Sequence, residues 1–155
     1  MARYTLALLL LLLTITTRGD ASKSDLRKVT EYARAQDVYV VVQTGSPFLH
    51  THDCDGLYVP KYNSISVICG KGTELDRALA VLLHELGHSG QSHEVKLEDH
   101  ELIYQREVDA WNRAEGLARQ LTVWSNVDKL EWEIMKSISL HSYRRKFQPT
   151  WNFIR

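Results

Sequence analysis

The sequence predicts an α+β fold: a small β-sheet, one strand plus a hairpin, packed on three or four helices. Three observations carry this. Segments 73–90 and 100–120 repeat apolar residues at helical spacing, the run 37–43 is dense in β-branched residues, and two short apolar runs, 56–59 and 64–68, flank a four-residue turn. The 155 residues suit one modest domain, and 44% hydrophobic content supplies its core. Nineteen basic and nineteen acidic residues cancel, so no nucleic-acid partner is expected.

The first segment reads as a leader. Met1-Ala-Arg3 is a short positive start, Leu6 and Leu8 to Leu13 follow as an apolar run, and Gly19 and Ala21 put small residues at the two positions a signal peptidase reads. The expected organisation is a signal peptide over 1–21 and one domain over 22–155, placing the protein in a secreted or periplasmic compartment. The alternative is an uncleaved membrane anchor, and only then is a membrane partner expected. An apolar span of about 10 to 14 residues falls short of the ~20 a spanning helix needs.

Ser24 to Gln36 reads as a first helix, with Ser24 as N-cap and Leu26, Val29, Tyr32 and Ala33 on its buried side. Asp37 to Gln43 reads as a strand, stopped by Gly45 and Pro47. A loop over Ser46 to Asp53 follows, whose His50 and His52 lack any established ligand spacing. In the hairpin, Pro60 to Asn63 form the turn. If Val59 faces Ser64, the same register sets Cys54 opposite Cys69, and in an exported chain that juxtaposition predicts a disulfide.

The segment Thr73 to Gly90 carries His84, Glu85 and His88 in the spacing H-E-x-x-H. Leu75, Ala78, Leu79, Leu82, Leu83 and Leu86 recur at helical spacing, Thr73 with Asp76 resembles a capping arrangement, and Gly90 suits the stop. Four residues make a little over one turn, so the two imidazoles project side by side and can reach one zinc ion at about 2.0 to 2.1 Å. Glu85, one step round, is placed to take a proton from attacking water rather than to bind metal.

After a polar linker, Gln91 to Asp99, a second long helix is expected from about His100 to Gln120, with Ile103, Ala110, Trp111, Ala114, Leu117, Ala118 and then Leu121 on its apolar face. Glu107 falls on that face, where a carboxylate needs an ion-pair partner or a metal. It is the leading candidate for third zinc ligand. His93 is the rival, although the extended metalloprotease pattern would want glycine at 91 and histidine at 94. Glu94, Glu98, His100, Glu101 and Asp109 are further candidates that no spacing rule singles out, and Asp109 lies about 200° round the helix from Glu107.

Helix, strand, hairpin, an H-E-L-G-H helix and then a helix bearing Glu107-Val-Asp-Ala110 together resemble the compact gluzincin-type metallopeptidases, and in element order the ImmA/IrrE-like group, over roughly Asp25 to Leu121. The resemblance implies a zincin-like domain with His84, His88 and Glu107 as ligands of one zinc and Glu85 as general base. Members of that group act on intracellular regulators whereas this chain reads as exported, so a repressor-cleaving role is not carried over.

Ser125 is expected to cap a third helix, Asn126 to about His141, with Val127, Leu130, Ile134 and Ile138 as its buried stripe. Tyr143 and His141, near its end, are candidates for the donor that stabilises an oxyanion. Trp151 and Phe153 are expected to fold back on the domain. The sequence thus points to a zinc hydrolase acting on peptide or protein substrates. A non-catalytic zinc-stabilised binding module is the alternative, and a hydrolase of non-peptide amides a third reading. Nothing in the sequence fixes an oligomeric state.

Overall fold

A computed structural model describes residues 21–50, 52–91 and 100–147. The apolar leader before Ala21, the rival ligand His93 with Glu94 and Glu98, and Trp151 and Phe153 lie outside the described residues. The fold is α+β. Helix α1 spans Lys23–Ala35, strand β1 Tyr39–Ser46, β2 Cys54–Val59, β3 Ser64–Gly70, helix α2 Leu75–Ser89, α3 His100–Gln120 and α4 Lys129–Phe147, with short 3-10 turns at Pro60–Tyr62 and Trp124–Asn126. No described helix is long and apolar enough to cross a membrane.

The sheet is three-stranded in the order β1-β3-β2. β1 runs parallel to β3 and β2 antiparallel to it, which leaves β2 at an edge. The hairpin register is the expected one: Val59 pairs with Ser64 and Cys54 with Cys69, and the two cysteines form a disulfide. Asn63 closes the turn in the left-handed region, at φ 44°, and its side chain donates to the Asp37 carbonyl.

Strand β1 runs Tyr39–Ser46, through Gly45, rather than ending at Gln43, α4 continues to Phe147 rather than about His141, and three helix starts differ from the sequence reading. Helix α1 starts earlier because Ser22, not Ser24, is the N-cap; Ser22 and Asp25 form a reciprocal capping box. Thr73 does not cap α2. Its hydroxyl donates to the carbonyls of Asp53 (3.1 Å) and Gly70 (3.0 Å), tying the hairpin's ends together, and α2 begins after Glu74. Ser125 does not cap α4 either; the Asp128 carboxylate accepts from the Leu130 and Glu131 amides, so the helix starts three residues later than expected.

That last shift accompanies the largest correction. Val127 is buried as expected, but Leu130, Ile134 and Ile138 are exposed, at 68%, 42% and 66%. Trp132 takes the core position, packed edge-on against Trp111 and Trp124 at 5.0 and 5.2 Å. Leu130 lies about 200° round a helix from Trp132, so burying the larger side chain turns the leucine outward.

Helix α2 is the hub. It packs on α1, β2, β3, α3 and α4, and residues 78–87 are all buried. The core around it combines Val29 and Ala33, the inward residues Ile65, Val67 and Cys69 of β3, and Trp111 and Trp132. Against α3 the approach is close: a Cβ at Gly87 would stand 2.2 Å from the Ala110 carbonyl oxygen. Only glycine fits there, and the small Ala110 faces it.

Candidate metal centre

The close crossing of α2 and α3 brings His84, His88 and Glu107 together. One turn separates the histidines on α2, while Glu107 sits on α3 one turn before Ala110. His84 Nε2 and His88 Nε2 are 3.2 Å apart; the Glu107 oxygens stand 3.4 Å from the first and 3.2 Å from the second. All three residues are largely buried, so this is an enclosed cluster rather than a surface group of charges.

These three side chains could hold a metal ion. Corners of a tetrahedron with bonds of 2.0–2.1 Å lie about 3.3 Å apart, and the three observed separations fall within a tenth of that. Without a cation, two imidazole nitrogens at 3.2 Å need a proton between them or set lone pair against lone pair. The electrostatics agree. Burial works against the Glu107 carboxylate, but hydrogen bonds to His84 and His88 and their charge outweigh it and hold the group well below the usual carboxylate range. At His88, burial lowers the imidazolium's pKa, but the Glu107 hydrogen bond and charge, helped by Gln91 and Glu85, bring it out above the ordinary value.

Supporting contacts surround the cluster. The His84 ring stacks on Trp111 at 4.3 Å, and the Ser139 hydroxyl of α4 donates to Glu107 at 3.3 Å. Gln91, 7% exposed just past the end of α2, accepts from His88 Nδ1 at 3.0 Å.

Glu85 is buried beside this cluster and on the same cleft. Desolvation raises its carboxyl pKa, partly offset by the charges of His84 and His88 and by a hydrogen bond from the Tyr58 backbone N–H of β2. The strand can come this close because residue 56 is glycine: a Cβ there would meet Val81 Cγ1 at 2.5 Å and Glu85 Oε1 at 2.7 Å.

The cleft measures about 760 Å³ and runs between the edge strand β2 on one side and α3 and α4 on the other. Leu57, Val81, Ile103, Ile134 and Ile138 give it apolar walls, so two residues expected in the core line this opening instead. Tyr143 also lines it. Burial, the neighbouring Glu107 charge and a hydrogen bond from its hydroxyl to Glu107 push the phenol up to about 12. His141 is exposed and is not among the cleft's lining residues.

The other candidates among the described residues do not join the cluster. His52 Nδ1 lies 2.7 Å from the Gly72 carbonyl, His50 is exposed in the preceding loop, and His100 and Glu101 are exposed at the start of α3. Asp109 binds Gln91 and Arg113. Sequence reasoning missed Gly56, the Tyr58 amide, Gln91 and Ser139. Of these, only Gln91 carried a local signal, a polar residue three positions past His88, within a turn's reach.

Compared with family models, with curated proteins and with solved structures, the chain finds no match.

Proposed function

We propose that this chain is an exported zinc metallopeptidase of the small gluzincin type, cleaving peptide bonds in peptide or protein substrates with one zinc ion per chain. One observation carries the reading: two imidazole nitrogens and a carboxylate meet at tetrahedral spacing, while a second buried carboxylate, Glu85, faces the same cleft without joining the set. A structural zinc site has no use for a base beside it, whereas three ligands plus a base, the set found among the described residues, is the composition of a hydrolytic one. Export is supported by the Cys54–Cys69 disulfide and by the leader-like start of the sequence.

His84, His88 and Glu107 would hold the zinc, which when bound supplies a Lewis acid for the scissile carbonyl and lowers the pKa of water. Glu85 takes the proton from the attacking water and returns it to the leaving amine. Its raised pKa brings it nearer the working pH, and the Tyr58 amide holds it in place. Tyr143, which lines the cleft with its hydroxyl hydrogen-bonded to Glu107, is the candidate donor for the developing oxyanion once that hydroxyl turns from Glu107. An extended substrate is suited to this cleft, because β2 is a sheet edge whose residues Cys54 to Tyr58 form one wall.

The test is zinc analysis of the purified protein together with a peptide-library cleavage assay of the parent and of Glu85→Gln. The variant keeps shape and hydrogen bonding, so zinc content and melting temperature should stay near the parent's. Turnover should fall by at least the 10²–10⁴-fold or so that a positioned acid or base contributes. A variant cleaving at the parental rate with zinc bound would remove Glu85 from the mechanism. A parent that binds zinc yet cleaves nothing in a broad library would favour the binding module.

A further inference from the structure

Gln91 is nine-tenths buried, and each end of its amide has a defined partner. Its nitrogen donates to the Arg106 carbonyl at 2.7 Å and to Asp109 Oδ2 at 3.0 Å. Both partners are acceptors only, so the –NH₂ end of the amide is fixed there and the oxygen must face His88. That oxygen lies 3.0 Å from His88 Nδ1. A carbonyl oxygen cannot donate, so Nδ1 carries a hydrogen toward it; Nε2 faces the Glu107 carboxylate, carries a hydrogen too while the ring is charged, and presents its lone pair when that proton leaves. His88 Nε2 is the atom that faces His84 and Glu107. The orientation is braced from outside, because Arg113 on α3 donates from Nε to Asp109 at 2.7 Å and from a terminal nitrogen to the Gly90 carbonyl at 3.0 Å. At His84 the arrangement is different: among the described residues no acceptor reaches its buried Nδ1.

We infer that Gln91 is a positioning residue for the metal centre, selecting the Nδ1–H tautomer of His88 so that Nε2 is ready to bind, with Asp109 and Arg113 fixing the Gln91 amide. The inference rests on the metal-centre reading for its consequence but not for its geometry, which is present without the ion. An acceptor behind a metal-bound histidine fixes ring orientation and raises ligand basicity, and losing it typically costs about 10–100-fold in metal affinity. Asp109 thus has a role one step further out than the ligand role weighed for it in the sequence.

The test has a metal-free arm and a zinc arm. In the first, long-range ¹⁵N NMR of metal-free protein, above the pH at which the imidazoles titrate, should show His88 as the Nδ1–H tautomer in the parent. Gln91→Leu should lose that tautomer. In the second, chelator competition should find zinc held about 10–100-fold more weakly by Gln91→Leu. Asp109→Ala removes a half-exposed side chain and should give a smaller shift in the same direction, which carries the test if Gln91→Leu does not fold. A parent in the Nε2–H form, or a Gln91→Leu protein with parental zinc affinity, would overturn the inference. A parent that shows the Nδ1–H tautomer but binds no zinc would instead overturn the metal-centre reading and leave the tautomer assignment standing.

Discussion

Replacing Gly87 by alanine should damage the metal centre without touching a ligand. The new Cβ would stand 2.2 Å from the Ala110 oxygen, 2.9 Å from its carbonyl carbon and 3.1 Å from its Cα, where ordinary contact begins near 3.4 Å. All three atoms are backbone, so none can rotate away, and α2 and α3 must part by about 1.2 Å along the worst line. His84 and His88 sit on one of these helices and Glu107 on the other, within one turn of the contact. Metal–ligand distances tolerate only about 0.2 Å, so the displaced Glu107 carboxylate no longer completes the set. Zinc affinity should fall by at least the 10–100-fold or so that disturbing an outer partner costs, and the metal-free protein should lose about 1–3 kcal/mol to overpacking. Gly116, also on α3, is the control: its Cβ would meet nothing within 4 Å, so Gly116→Ala should stabilise by roughly 0.4–1 kcal/mol and leave affinity unchanged. Chelator competition and melts in EDTA read both quantities. A Gly87→Ala protein with parental zinc affinity would refute the claim that this crossing sets the ligand spacing.

Three further outcomes are expected. Replacing Cys54 and Cys69, whose bridge spans a sequence separation of 15, should cost about 3 kcal/mol in urea unfolding, and intact non-reduced protein should weigh two hydrogens less than reduced; two alkylatable thiols in native exported material would contradict the pairing. Metal-free protein should be more stable near pH 5.5 than at pH 8. The contribution of His88, raised above 6.5, is complete below that value and lost as pH rises through the folded one; that of Glu107, depressed below 4.5, is lost only at lower pH; and that of Glu85, raised above 4.5, is complete below 4.5 and lost as pH rises through its folded value, the same sign as His88. Zinc should reverse that trend because it binds deprotonated imidazoles, so EDTA melts that rise from pH 5.5 to 8 would count against the His88–Glu107 pairing. Leu130→Lys should change stability by less than about 0.5 kcal/mol whereas Trp132→Ala should cost about 3–5, measured by urea unfolding.

Where burial follows from one element's own periodicity, the sequence was enough to read it. The face of α3 from Ala110 through Trp111, Ala114 and Ala118 is buried as its spacing implies, and the hairpin register follows from a turn of fixed length. The parallel pairing of β1 with β3 was not legible, because it depends on the path of the chain between them. Helix α4 shows the opposite failure. Leu130, Ile134 and Ile138 form a valid apolar stripe, but Trp132 heads a competing one, and only the presence of Trp111 and Trp124 decides between them. Leu130 is left exposed, and the two isoleucines become cleft wall.

The candidate site divides along the same line. His84, Glu85 and His88 were legible because helix geometry alone sets their spacing, and Glu107 because a carboxylate on an apolar face needs a reason to be there. The Tyr58 amide that holds Glu85 is brought by another element, which no spacing rule encodes, whereas Gln91 lies only three residues past His88. Gly56 has meaning only once β2 lies against Val81 and Glu85, and Gly87 only once α3 lies against α2. These two glycines work in the same way on opposite flanks of α2. One lets the edge strand carry an amide to Glu85, and the other lets α3 carry a carboxylate to the histidines. A helix bearing H-E-x-x-H supplies two imidazoles and a buried carboxylate, but the absence of side chains at its two contact points lets the rest of the chain complete the cluster.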